Sequence, residues 1–176
     1  MGRAETIEIA RNWLATNDLP EDLSLRITGP DAPTEWLQGL AEVALSQEVW
    51  PSSGGVLRGI DAPGFGMVAV DADGRAVSTA CAAKSRHPDH PDAAMAQWGQ
   101  LATRDDWKGK GVARAMACHS IVHGADAFEI EVFSTGIREG NAPSENLCRS
   151  LGLTPSGYAI VILIDPARFG GARITK

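Results

Sequence analysis

Four cations gather around two glycines in the middle of an acidic chain. Arg104, Lys108, Lys110 and Arg114 flank Gly109 and Gly111 within the run LATRDDWKGKGVARAM, residues 101–116. An apolar stretch ends there in a charged turn, and a small-residue helix follows without interruption. That order suits phosphate. The first amides of a helix have no partner inside it, and the helix dipole concentrates partial positive charge at the same end. A glycine lets an anion approach the backbone with no Cβ in the way. The expected ligand is a small polyanion: the whole chain carries 16 Lys+Arg against 22 Asp+Glu, a net charge of −6, and an acidic protein is a poor general binder of nucleic acid.

Other residues with chemical potential are scattered. Cys81, Cys118 and Cys148 are an odd number with no Cys-x-x-Cys pair. They read as reduced thiols of a cytoplasmic protein rather than a disulfide framework. His119 and His123 are four apart and share a helix face, while His87 and His90 sit beside Asp89 and Asp92 in a polar loop. Zinc needs three or four converging ligands, and nothing joins the two pairs, so no metal is expected and His119 reads as a partly buried, hydrogen-bonded histidine. Glu129 and Glu131 alternate with apolar neighbours, as on the solvated face of a strand. Trp36, Trp50, Glu42 and Glu48 would attract a cation if they lined an amine pocket, but taken singly Trp36 reads as core and the glutamates as solvated surface.

Three phosphate-binding loops compete for residues 104–114. A P-loop NTPase requires GxxxxGK followed by Ser or Thr, which neither glycine provides. A dinucleotide fingerprint of the GxGxxG type finds Gly109 and Gly111 in place but Arg114 at its third small position; a dinucleotide-binding oxidoreductase is therefore the most distant reading. The third fits. Lys108-Gly109-Lys110-Gly111-Val112-Ala113 resembles motif A of the GNAT superfamily of acyl-CoA-dependent N-acyltransferases, of the form Q/R-x-x-G-x-G/A, with Lys108 where the family usually has Gln or Arg. A second segment, Asn141 to Leu153 (NAPSENLCRSLGL), is similar to the family's N-x-x-A/S-x-x-L-Y-x-x-x-G-F, with Asn141, Ser144, Leu147 and Gly152 in register. The resemblance covers roughly residues 64–165.

The resemblance implies a set of roles. The strand ending Leu101-Ala102-Thr103 offers its backbone edge to the pantetheine arm where the sheet splays. Lys108, Gly109, Lys110, Gly111, Val112, Ala113 and Arg114 hold the coenzyme pyrophosphate, and Asn141 and Ser144 lie near the thioester. An acetyl group, or another acyl group, passes from the acyl-CoA to a primary amine by direct attack. The family's tyrosine acid is replaced here by Cys148, either a short-reaching general acid or a packed helix residue. The sole tyrosine, Tyr158, begins a later strand. The position of a glutamate base in some relatives falls on Gln97, which cannot take a proton at neutral pH. These departures keep open a non-catalytic acyl-CoA-binding sensor of the same fold.

The elements that must position these residues follow from periodicity. Residues 5–17 carry a helical apolar stripe, and 23–28 alternate as a strand. Asp31 or Thr34 would cap a helix running to Ser46. Residues 49–63 read as a loop with a short helical turn. Strands over 65–71 and 75–84 are joined by the hairpin signal Asp73-Gly74. A polar loop leads to a strand over 94–103, a helix over 111–123 and a strand over 128–133. Pro143 opens a helix that Gly152 stops. Tyr158 to Ile164 forms a last apolar strand. The expected fold is α/β: a mixed, mostly antiparallel central sheet with helices on both faces and an extra N-terminal helix over 1–20, packed on the sheet or on a second subunit. At 176 residues one domain over 1–176 is expected, with no membrane span. Met1-Gly2 with Thr6 meets the loose N-myristoylation pattern, which arises often by chance.

Overall fold

The computed structural model describes residues 1–157, so the expected strand over Tyr158 to Ile164 lies outside the described residues. The β2–β3 hairpin is the centre. β2 (Gly64–Val70) and β3 (Ala76–Lys84) run antiparallel and are buried over almost their whole length. The turn between them is closed by Asp71, whose carboxylate accepts from the Arg75 amide at 2.8 Å, and by Gly74 donating to the Asp71 carbonyl at 2.9 Å. Side chains of β2 alternate between two cores. Phe65, Met67 and Ala69 enter the main cluster, whereas Val68 and Val70 pack with Val43 on the other face. A strand apolar on both faces needs helices on both.

Those helices are α1 (Ala4–Leu14) and α4 (Val112–Phe128) on one side, with α2 (Thr34–Ser46) and the short α3 (Gly54–Leu57) on the other. β1 (Ser24–Ile27) pairs antiparallel with β2, and β4 (Met95–Thr103) antiparallel with β3. β5 (Val132–Ser134) adds to β4 in parallel, giving the order β1-β2-β3-β4-β5 among the described residues. A 3-10 turn at Asp105–Trp107 joins β4 to α4, and α5 (Ala142–Ser150) follows β5.

Three expectations need correction. α4 does not stop at His123 but runs five residues further, to Phe128. Gly124 is a contact point rather than a stop: a Cβ there would lie 3.1 Å from Ile130 Cδ1 and 3.2 Å from Phe133 Cε1, so glycine lets the chain return close against the helix. Consequently the strand begins only at Val132, and Glu129 and Glu131 belong to the exposed return, with Glu129 in the left-handed cap of α4. Neither Asp31 nor Thr34 caps α2; Pro33 holds the cap position and no side chain accepts from the first turn. The N-terminal helix ends at Leu14, where Asn17 Nδ2 donates to the Trp13 carbonyl at 2.9 Å. It packs within its own chain, across α4, fastened by an Arg11–Asp126 ion pair and by His119 Nε2 at 2.8 Å from Asp18 Oδ1.

Candidate active site

β4 is the strand on which the site is built. It pairs with β5 for three residues only, Met95, Ala96 and Gln97 against Val132, Phe133 and Ser134, and then the two strands part. From Trp98 to Thr103 the edge of β4 away from β3 has no strand beside it among the described residues. The other edge is irregular. Gly99 faces Cys81 and Ala102 faces Thr79, so Gln100 and Leu101 together oppose the single residue Ala80. This is a bulge. Gln100 sits there at φ +52°, a left-handed conformation that costs a side-chain-bearing residue about 1–3 kcal/mol. The strand is nevertheless fixed. Trp98 is buried and donates from Nε1 to Ser120 Oγ at 2.8 Å, tying β4 to α4, and Ser78 Oγ lies 2.8 Å from Thr103 Oγ1.

β4 delivers the chain to the glycine turn. Lys108 N donates to the Asp105 carbonyl at 3.2 Å, and the next amides to donate are Arg114 and Ala115, both to the Gly111 carbonyl at 3.1 Å. Between them, the amides of Gly109, Lys110, Gly111, Val112 and Ala113 have no partner among the described residues. No side chain caps the 17-residue helix α4. Gly109 and Gly111 adopt φ +76° and +80°, and a Cβ at either would meet nothing within 4 Å. The cup is open. It suits a diphosphate, whose oxygens are acceptors for several aligned N–H groups at once.

The cations divide. Lys108 is paired with Asp105, and Lys110 Nζ lies 4.3 Å from the centroid of the Trp107 ring. Arg114 places its guanidinium 5.8 Å from the Trp13 ring on α1, and its Nε is buried without a partner among the described residues. Arg104 leaves the group: it donates from Nε to the Ala76 carbonyl at 2.7 Å and faces Glu42 at 3.8 Å. Trp13 is a neighbour of the site that the motif could not reveal, because it comes from the additional helix.

Of the strand residues, Leu101 packs against the main core, Ala102 against Val43 and Val70, and Thr103 against Ser78, so the backbone rather than these side chains faces the splay. Asn141 caps α5, its Oδ1 accepting from the Ser144 amide at 3.4 Å, and Ser144 is half-buried in the first turn. Cys148 is buried in the main cluster, and burial pushes its thiol up to about 11. Gln97 is exposed.

His119 is bound to Asp18, and His123 lies between Phe65 and Phe128 at 4.6 and 5.8 Å. No group of three or more His, Cys, Asp or Glu comes together among the described residues. Trp36 is half-buried under the Arg26 guanidinium, Glu42 is turned to Arg104, and Glu48 takes φ +58° at the end of α2. Of the four suggested pocket residues, Trp50 meets the bulge of β4: Gln100 Nε2 donates to the Trp50 carbonyl at 3.3 Å. The bulge and Gln100 escaped sequence reading, although Gly99 inside an otherwise apolar strand was a signal for one.

No family model and no curated protein matches the sequence. Solved structures do match. A GCN5-related N-acetyltransferase from Kribbella flavida superposes with a TM-score of 0.55 at 22% identity, over 75% of this chain and 82% of that one. Glucosamine-6-phosphate N-acetyltransferase from Arabidopsis thaliana gives a TM-score of 0.58 at 9% identity, over 81% and 99%. A predicted acetyltransferase from Clostridium acetobutylicum, solved with acetyl-CoA, gives 0.57 at 11% identity, over 83% and 97%. The chain has the GNAT fold.

Proposed function

We propose that the protein is an N-acyltransferase that moves an acetyl group from acetyl-CoA to a primary amine of a small molecule or peptide. One observation carries this reading: five consecutive unpartnered amides, Gly109 to Ala113, at the end of a β-strand whose edge is left free by the departure of β5. Such a strand accepts an extended amide-bearing arm as it would accept another strand, and the cup beyond it accepts a diphosphate. Pantetheine and pyrophosphate are joined in that order in coenzyme A.

In the reaction, the lone pair of a neutral amine attacks the thioester carbonyl carbon. The C–N bond forms, the C–S bond breaks with its electrons on sulfur, and the amine's surplus proton leaves through water. A water relay suits this chain, because Gln97 has no carboxylate and Glu129 and Glu131 lie on the exposed return after α4. Sulfur then takes a proton from solvent. The protein's share is to align and desolvate the reactants.

Purified protein incubated with acetyl-CoA and a panel of polyamines, aminoglycosides, amino acids and peptides should release free thiol in step with amine consumption. Gly111→Glu, which puts a carboxylate into the cup, should abolish coenzyme binding by calorimetry while the thermal transition is retained. Undiminished affinity in a folded variant would falsify the site. The burial of Cys148, at the position where the resemblance to the GNAT superfamily implies a tyrosine acid, favours a second reading, an acyl-CoA sensor. Tight coenzyme binding with no turnover across the panel would select it.

A further inference from the structure

We propose that the acceptor amine is received where the segment Trp50–Ser52 meets the bulge of β4, its N–H donated to Gln100 Oε1. This deepens the acyl-transfer reading and rests on it.

The Gln100 amide cannot be turned around. Its Nε2 lies 3.3 Å from the Trp50 carbonyl, a group that only accepts, and 2.7 Å from Ser52 Oγ. The NH2 group therefore faces the segment, and Oε1 points the other way. That oxygen is buried and has no donor among the described residues. A buried amide oxygen calls for a donor, and the side chain is held in place by a backbone at φ +52° that only a strong local constraint retains. The position fits the reaction. An arm that starts at the Gly109–Gly111 cup and runs back along β4 brings its reactive end toward the point past Gln97 where β5 departs; Gly99 and Gln100 lie two and three residues from Gln97 on that stretch.

Gln100 takes no proton in this scheme. By holding one N–H of the neutral amine it leaves the lone pair directed at the thioester carbonyl.

The test is Gln100→Met, which keeps length and removes the oxygen, assayed with the best amine of the panel. The KM for that amine should rise about tenfold, while the KM for acetyl-CoA stays within twofold. An unchanged amine KM overturns the proposal, and so does a loss that falls on acetyl-CoA alone. Coenzyme calorimetry reports separately on the acyl-transfer reading. If no amine is turned over, or Gln100→Met fails to fold, wild-type protein labelled with 15N and loaded with coenzyme A is titrated with butylamine. The Gln100 side-chain amide signals should shift, and signals that stay in place refute the pocket.

Discussion

Burial pushes the Cys148 thiol up to about 11, and the charge of the chain's amino terminus opposes that only in part. A thiol that keeps its proton meets one requirement of a general acid, yet it must also reach the departing sulfur. Cys148 is 7% exposed and packed in the main core with Leu151 and Leu153. Cys148→Ala should leave turnover within twofold and lower stability by about 1–2 kcal/mol, as deleting a small buried group does; thiol-release rates and urea titration measure the two. A drop in turnover beyond tenfold with unchanged coenzyme affinity would restore the acid role. The motif located this cysteine on its helix, but which way the helix face turns is set by packing against β-strands far away in sequence. Gly109 and Gly111 were legible for the opposite reason, because their need for positive φ and open space is local.

Helix α4 carries a pH response. His123 is half-buried between Phe65 and Phe128, and desolvation lowers its pKa, with Asp126 pulling the other way more weakly. The unfolded chain, with histidine near 6.5, then binds more protons than the folded one between the depressed folded value and about 6.5. Stability must therefore fall as pH drops through that window and level off below the folded pKa. The urea midpoint should decline as pH falls through about 6.5 toward the depressed folded value, and His123→Leu should flatten the decline; an identical slope in the variant would mean another group is responsible. Lowered by its hydrogen bond to His119, the Asp18 carboxyl responds in a lower range: its stabilisation is present above the ordinary carboxylate pKa and is lost as pH falls through the depressed folded value. Because Asp18 is three-quarters exposed, that contribution is small. The 17-residue helix was legible as a helix, and its length was not. Gly124 lies inside the helix because Ile130 and Phe133 pack against it, contacts that no local pattern records.

At the level of the molecule, coenzyme binding should couple to folding. The open cup and the free edge of β4 exist only when α4, β4 and β5 are assembled, so a ligand held there binds the native state alone. At 100 times its Kd it would add about 2.7 kcal/mol, raising Tm by roughly 5–10 °C for a chain of this size. Thermal scans with and without coenzyme A measure this, and the shift should vanish in Gly111→Glu. A wild-type Tm indifferent to coenzyme A at millimolar concentration would count against the site. The amino-acid order alone established the helices and strands over residues 4–151 in nearly their right places, the phosphate-suited turn and the fold class, because apolar period and glycine requirements act between near neighbours. The parting of β4 from β5 was expected only through the family resemblance, and three features needed the folded chain: the bulge that aims Gln100, the approach of Trp13 to Arg114, and the burial of Cys148. Each depends on which distant segments come to lie side by side, and short-range patterns carry no record of that.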